Sequence, residues 1–308
     1  MTFCPTPSVP YPFPELFVHH TVSAGDVRLH VAGAPGSGPD AGRIFFVPGY
    51  TDHLGRYGEL FTHLLRRGFS VWGMDLRGHG LSGGPRGFIR HFSDYLDDLE
   101  RAFRHAREQS DAPPDARWIL FGHSTGGLVA ISALLRRPVP LLDAGVCGVA
   151  VSSPLLGLRL SAPMWRRVLG AVASRLLPRF SLEAGVAEYP STHDGEMERK
   201  KHDDPLVFTS VNARWYTEVA AEMAWVRARA GECPVPLYAV QGEADPVVDP
   251  AATAAFVKGC PDGELSLLPD LYHEILMETC RTEIWDAAAD WMETRGAGRS
   301  DGIRRPSG

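Results

Sequence analysis

The segment Trp118-Ile119-Leu120-Phe121-Gly122-His123-Ser124-Thr125-Gly126-Gly127-Leu128-Val129-Ala130 sets a serine between two glycines, after one apolar run and before another. A hydroxyl is a weak nucleophile unless it is held free and next to a base. Gly-x-Ser-x-Gly between a buried strand and a helix meets the first need. The serine sits on a sharp turn, and Gly122 and Gly126 have no Cβ to hold strand and helix apart. A helix starting at Thr125 turns its N-terminal N–H groups, the backbone N–H of Thr125 first, toward an oxyanion formed at Ser124. The bare pattern also occurs in packing turns of small residues. The strand–turn–helix context is what favours a nucleophile.

The nucleophile needs a base and an acid to orient it, and with such an elbow they follow in the order acid, then histidine. The apolar run Leu237–Val240 leads into Gln241-Gly242-Glu243-Ala244-Asp245-Pro246-Val247-Val248, which puts Asp245 just past a strand end. Sites in open α/β sheets gather at such ends. Leu265–Leu268 leads in the same way into Pro269-Asp270-Leu271-Tyr272-His273-Glu274, and His273 is the only histidine after position 202. Glu243 and Asp249 are rival acids, and Asp270 is a weaker one. A second oxyanion donor is expected from the loop Val47-Pro48-Gly49-Tyr50, as the backbone N–H of Tyr50; the competing reading is a plain strand-ending turn. The glycine-rich run Asp75–Gly84 lacks both a Gly-x4-Gly-Lys-Ser pattern and any lysine, so it is read as a structural loop buttressing the elbow, not a phosphate site.

These residues require elements that bring them together. Leu16–Val22 and Val27–Ala32 read as a hairpin, and Arg43–Val47, Phe69–Met74, Trp118–Phe121, Gly145–Val151, Pro236–Val240 and Glu264–Leu268 as buried strands. Helical spacing appears at Leu60, Leu64 and Leu65, from Phe92 to Phe103, and over Leu128–Leu135, Ala251–Val257 and Glu283–Met292. Strands alternating with helices imply crossover connections and a mostly parallel sheet covered on both faces. The alternation fails between Pro154 and about Arg229. There, Trp165–Leu177 and Val211–Ala228 read as helical, and Glu183–Asp204 as a polar segment with an exposed charge run at Lys200–Asp204.

Composition narrows the function classes. The 308 residues are 44% hydrophobic and 22% charged, as in an ordinary folded protein. The net charge of −6 argues against nucleic acid as a partner. Only three lysines stand among the 31 basic residues, which reads as a composition effect. The five cysteines show no Cys-x-x-Cys spacing, so neither a disulfide framework nor a zinc site is expected, and no metal or organic cofactor is implied. The first residues lack a basic region followed by an apolar core, and no apolar run reaches membrane-helix length, so a cytoplasmic protein is expected. Residues 295–308 read as a disordered tail.

Taken together, Pro48-Gly49-Tyr50 with Gly55-Arg56-Tyr57, Asp75-x-Arg77-Gly78-His79-Gly80-x-Ser82, Gly122-His123-Ser124-Thr125-Gly126-Gly127, Ser152-Ser153-Pro154, Asp204-Pro205-Leu206, Gly242-x-x-Asp245-x-Val247 and His273-Glu274 resemble the monoacylglycerol lipase and lysophospholipase-like group of α/β-hydrolases, the serine aminopeptidase or hydrolase-4 family. The resemblance covers roughly residues 15–292. The resemblance implies an α/β-hydrolase fold: a mostly parallel eight-stranded sheet with helices on both faces, a core of residues 1–153 and 230–294, and an inserted helical cap at 154–229. It implies a catalytic triad of Ser124, Asp245 and His273, an oxyanion hole at Tyr50 and Thr125, and hydrolysis of fatty acyl esters. Many relatives carry His-Gly where this chain has Pro48-Gly49, a change that bears on the loop's hydrogen bonding more than on its backbone donor. The cap residues Met164, Trp165, Leu169, Leu177 and Phe180, with Val247, are candidates to line a pocket for a small-molecule lipid or ester, although packing of the cap accounts for many such side chains. Arg166, Arg167, Arg175 and Arg179 make the cap basic enough for transient contact with an anionic membrane surface, with a solvated face as the competing reading. A peptidase reading would need acidic groups for an amino terminus, and Glu183, Glu188 and Asp194 are available. Epoxide hydrolases and dehalogenases normally carry aspartate at the elbow, which Ser124 disfavours, and a non-catalytic binder would not need the triad.

Overall fold

Ile44 and Phe46 face one side of a five-residue strand and Phe45 and Val47 the other, and all four are buried. An all-apolar strand has to be covered on both faces, as in parallel sheets flanked by helices. The computed structural model describes residues 13, 15–36, 41–110, 112–159, 174–183 and 189–296, and it shows that arrangement. The tail expected at 295–308 starts later than its composition suggests, because the last helix runs through residue 296; residues from 297 onward lie outside the described residues.

Strands β1 (Val18–Ala24) and β2 (Val27–Ala34) form the opening hairpin, turning at Gly25, whose φ is +66°. Then follow β3 (Arg43–Val47), α1 (Gly58–Arg66), β4 (Ser70–Met74), α2 (Ser93–Gln109), β5 (Trp118–His123), α3 (Thr125–Arg136), α4 (Pro138–Asp143) and β6 (Val146–Ser152). Further on come β7 (Ser181–Glu183), α5 (Gly195–Asp203), β8 (Ser210–Asn212), α6 (Ala213–Arg227), β9 (Leu237–Gly242), α7 (Pro250–Gly259), β10 (Gly263–Leu268) and α8 (Arg281–Gly296). The main sheet has eight strands in the order β1-β2-β4-β3-β5-β6-β9-β10. The hairpin is antiparallel and joins β4 antiparallel, and every pairing from β4 to β10 is parallel. Helices α2, α3 and α7 pack on one face with the larger apolar cluster. Helices α1 and α8 pack on the other, around Phe46, Phe61, Phe121 and Trp285.

Strands β6 and β9 are hydrogen-bonded neighbours although 84 chain positions separate them, and no strand of the main sheet lies between them among the described residues. The expected helix over 211–228 is shorter than its pattern: residues 210–212 form β8, paired antiparallel with β7, and Asn212 then caps α6. The polar segment 183–204 contains a helix, α5, capped by Asp194. Its charge pattern hides an inward face, because Lys201 pairs with the buried Glu274 and Asp204 is itself buried. The charges at 201 and 204 therefore do not form an exposed run; a carboxylate or ammonium with a buried partner need not face water.

The closest backbone approach in the sheet lies where β5 turns into α3. A Cβ added to Gly126 would stand 2.0 Å from the Val47 carbonyl oxygen, and one at Gly122 would stand 2.5 Å from the backbone of Gly126. Neither obstacle is a side chain that can swing away. Gly126→Ala is therefore expected to lower the free energy of unfolding by about 3 kcal/mol, measured by urea denaturation. An unchanged midpoint would contradict the contact.

Candidate active site

Ser124 occupies the turn between β5 and α3 with φ 51° and ψ −116°. This region is costly for a residue with a side chain, by about 1–3 kcal/mol. It is held by hydrogen bonds from the Ser124 N–H to the Ser152 carbonyl at 2.9 Å, and from the N–H groups of Leu128 and Leu155 to the Ser124 carbonyl at 3.1 and 3.0 Å. The side chain is thereby lifted off the sheet edge. Its Oγ lies 3.1 Å from His273 Nε2, and His273 Nδ1 lies 2.8 Å from Asp245 Oδ2. An ionised carboxylate only accepts, so Nδ1 carries the proton and Nε2 is left to accept from the serine. Of the four acids weighed from the sequence, Asp245 is the one bonded to His273. Asp249 caps α7 through the Ala251 N–H at 3.0 Å, and Glu243 and Asp270 are exposed.

Asp245 is fully buried and has four hydrogen-bond donors. Besides His273, Gln241 Nε2 reaches Oδ2 at 2.9 Å, and the N–H groups of Val247 and Val248 reach Oδ1 at 2.8 and 2.9 Å. Burial alone would raise this carboxyl; His273 and the two backbone donors outweigh it and hold the group below the ordinary carboxylate value. Gln241 is in turn held by Thr253 Oγ1 at 3.1 Å. The sequence reading passes over Gln241 because an amide at a strand end carries no signal of its own. Val247, a pocket candidate, meets Asp245 through its backbone, and its half-buried side chain packs against the core.

The loop carrying Tyr50 runs beside the serine, since a Cβ at Gly49 would lie 3.3 Å from the Ser124 Cβ. Thr125 opens α3, so its N–H has no partner within the helix. The run Asp75–Gly84 packs against the loop carrying Tyr50. Asp75 accepts from the Leu54 N–H at 2.7 Å and the Leu81 N–H at 2.9 Å, and His79 packs against the Tyr50 ring at 5.0 Å between centroids. Leu177 and Phe180 are 62% and 45% exposed, so the structure places these two candidates at the surface. Met164, Trp165 and Leu169 lie outside the described residues.

A buried charged cluster borders His273, and sequence reading missed its connectivity. Arg56 Nη2 pairs with Glu274 Oε2 at 2.5 Å and Nη1 with Asp52 Oδ1 at 2.9 Å, while the Tyr57 hydroxyl donates to Asp52. Lys201 of α5 reaches Glu274 Oε1 at 2.5 Å. His53 Nε2 donates to Asp204 at 2.8 Å. Glu278 accepts from the N–H groups of Tyr272 at 3.1 Å and His193 at 2.9 Å. The Glu274 carboxyl would be raised by burial, but Arg56 and Lys201 hold it well below its usual value. The sequence motifs include Arg56, Tyr57, Asp204 and Glu274 but do not show that they share one buried volume, because Glu274 meets Arg56 and Lys201 from remote parts of the chain. Among the described residues no group of histidine, cysteine and acidic side chains is arranged to hold a metal ion.

A model of the family described as serine aminopeptidase, S33, matches residues 38–280. Phospholipase YtpA of Bacillus subtilis is 29% identical over 249 residues, which cover 80% of this chain and 92% of that protein. The monoacylglycerol lipase of Mycolicibacterium smegmatis is 28% identical over 286 residues, covering 89% of this chain and 96% of its own. Among solved structures, the monoacylglycerol lipase of Paleococcus ferrophilus superposes with a TM-score of 0.74 at 25% identity, over 86% of this chain and 99% of that one.

Two buried histidines near the site couple stability to pH. Burial lowers His79 and His123 each to about 4, with the charge of His273 adding to the effect on His123. Both stay neutral in the folded protein between about pH 6.5 and 4, whereas an unfolded histidine takes up its proton near pH 6.5. The unfolded state then binds more protons as pH falls through that window, so stability is fully present above it and declines across it. The carboxylates held low by their partners add a further loss that sets in below about pH 5. The unfolding free energy in urea is expected to fall steadily from pH 7 to 4.5, and His79→Gln should flatten that slope.

Proposed function

The chain belongs to the serine aminopeptidase S33 family, and on that premise we propose that it is a serine hydrolase cleaving carboxylic esters of fatty acyl chains, of the monoacylglycerol or lysophospholipid type. The observation that carries the reading is the hydrogen-bonded chain Ser124–His273–Asp245 at a strained strand-to-helix turn. In the first half-reaction, Ser124 Oγ attacks the ester carbonyl while His273 Nε2 takes its proton. Asp245 keeps the imidazole tautomer and stabilises the imidazolium. The N–H groups of Tyr50 and Thr125 hold the oxyanion. Collapse of the tetrahedral intermediate breaks the bond to the alcohol, which leaves with the proton from His273. Water then enters, loses a proton to His273 and releases the fatty acid from Ser124 by the same steps in reverse. No step calls for a metal or cofactor.

The choice of a lipid ester rests on the relatives named monoacylglycerol lipase and phospholipase. The described parts of the 154–229 segment, the proposed cap, present Leu176, Leu177, Phe180 and Tyr189 at the surface. The family description also names a peptidase, which needs an acidic group free to bind an amino terminus. Of the acids available for that role, Asp194 is already engaged, accepting from Arg281 at 2.8 Å and capping α5. That removes one of the three acids a peptidase could use; the side chains of Glu183 and Glu188 lie outside the described residues.

The test is turnover of monoacylglycerols, lysophospholipids and p-nitrophenyl esters of graded chain length, with fluorophosphonate labelling alongside. Wild type is expected to label and to turn over the long-chain esters. Ser124→Ala should lose labelling and about 10³-fold or more in kcat. Turnover by Ser124→Ala equal to wild type would remove the nucleophile from this reading, and cleavage confined to peptide amides would replace the substrate class.

A further inference from the structure

The Tyr50 side chain, which takes no part in the chemistry above, is fixed at every point to the inserted segment or to the loop beneath it. Its hydroxyl donates to the Gly87 carbonyl at 3.1 Å and accepts from the Asn212 N–H at 3.3 Å, with the Ser210 carbonyl at 3.4 Å. Its ring lies on Trp215 at 3.8 Å between centroids, tilted by 31°. Asn212 also starts α6, its side-chain oxygen accepting from the N–H groups of Arg214 and Trp215 at 2.9 and 3.2 Å. The residue that meets the hydroxyl thus also begins the helix that carries the ring's platform. The other side is shaped for the phenol as well. Gly87 has φ +63°, and a Cβ there would stand 2.2 Å from the Tyr50 hydroxyl oxygen. Burial raises the phenol's pKa, so it remains a neutral donor at any working pH.

On the main-chain side, Gly49 is packed against Ser124, and Thr51 turns away with φ 66°. The proposed oxyanion N–H and the anchored phenol therefore belong to one residue in a tight turn, and a rotation of its backbone moves both.

We infer that Tyr50 is a positioning residue: its hydroxyl and ring fasten the oxyanion loop to the inserted segment at Ser210–Trp215, so that this segment sets where the oxyanion donor stands. The inference rests on the serine hydrolase reading and extends it, making the cap part of the transition-state machinery as well as a cover for substrate. The physical reason is the short range over which such a donor acts. It stabilises charge when it stands 2.7–3.1 Å from the position the oxyanion will occupy, and misplacement by about 1 Å costs about 10²-fold. A loop freed of its anchor still binds the ground-state ester, but it spends much of its time outside the productive distance.

The experiment compares Tyr50→Phe with wild type in kcat, KM, thermal midpoint and affinity for an alkyl trifluoromethyl ketone. The ketone adds the serine Oγ to its carbonyl, and the proton passes to His273, leaving a hemiketal oxyanion in the hole. The phenylalanine keeps the ring on Trp215 and removes only the hydroxyl's bonds. The expected result is a fall of about tenfold in both kcat and ketone affinity, with KM within about twofold and the protein still folded. A purely structural role would shift the thermal midpoint and leave ketone affinity alone. Gly87→Ala, which crowds the hydroxyl while leaving Tyr50 in place, should give the same signature. Wild-type kcat and ketone affinity in either folded variant overturn the inference. If Ser124→Ala is inactive in the same assay, that result leaves the serine reading standing; if Ser124→Ala turns over normally, the serine reading itself has failed.

Discussion

A single close contact organises the site: α3 starts so near the end of β3 that Gly126 touches the Val47 carbonyl. The serine turn exists because of it. Ser124 could relax toward an ordinary conformation if the helix were free to move away, but the helix is packed on the sheet and its start is held by three backbone hydrogen bonds at Ser124. The strain is local and its support is global, the pattern expected of a residue held in a sparsely populated region. The same contact brings the loop after β3 alongside the serine, because β3 is the hydrogen-bonded neighbour of β5. Strand order does the rest. With β6 and β9 next in line, the turn after β9 delivers Asp245, and the turn after β10 delivers His273.

Around this frame the inserted segment is fastened at several places. Tyr50 meets Ser210, Asn212 and Trp215, and His53 meets Asp204. Glu274 meets Lys201 and Glu278 meets His193. Three of these four links end on a carboxylate removed from water. Such links add little net stability over apolar packing, but breaking one partner away leaves an uncompensated charge and costs about 3–5 kcal/mol. Their effect is to make alternative placements of the segment expensive. The described residues from 189 to 228 are accordingly part of the frame that holds the Tyr50 loop and the His273 loop in register with the serine.

The electrostatics follow from the same packing. His273 stands between an ionised Asp245 and a neutral His123, its ring 5.1 Å from the latter between centroids. Were His123 charged, the imidazolium that the proposed mechanism forms at His273 would face a like charge in a poorly solvated site. Keeping His123 neutral by burial removes that cost.

Much of this was legible from residue order. Apolar runs too short for helices and too continuous for exposed strands specified the buried sheet, and a serine between glycines at a strand end specified the elbow. The acid and the histidine were found by position, each just past a strand, because that is where a parallel sheet exposes its chain. These are local facts, and local sequence carries them. What the sequence could not express is which distant residues share a buried volume. Lys201 and Asp204 read as solvated charges because a helix's inward face shows only once its neighbour is known. Gln241 and Glu274 carry no periodic signal. The side chain of Tyr50 looked incidental beside its own N–H. Tertiary structure alone decided these: the pairings His53–Asp204, Tyr50–Asn212 and Arg56–Glu274 each cross more than 150 positions, and they depend on the sheet order that brings the segments together, which no local pattern encodes.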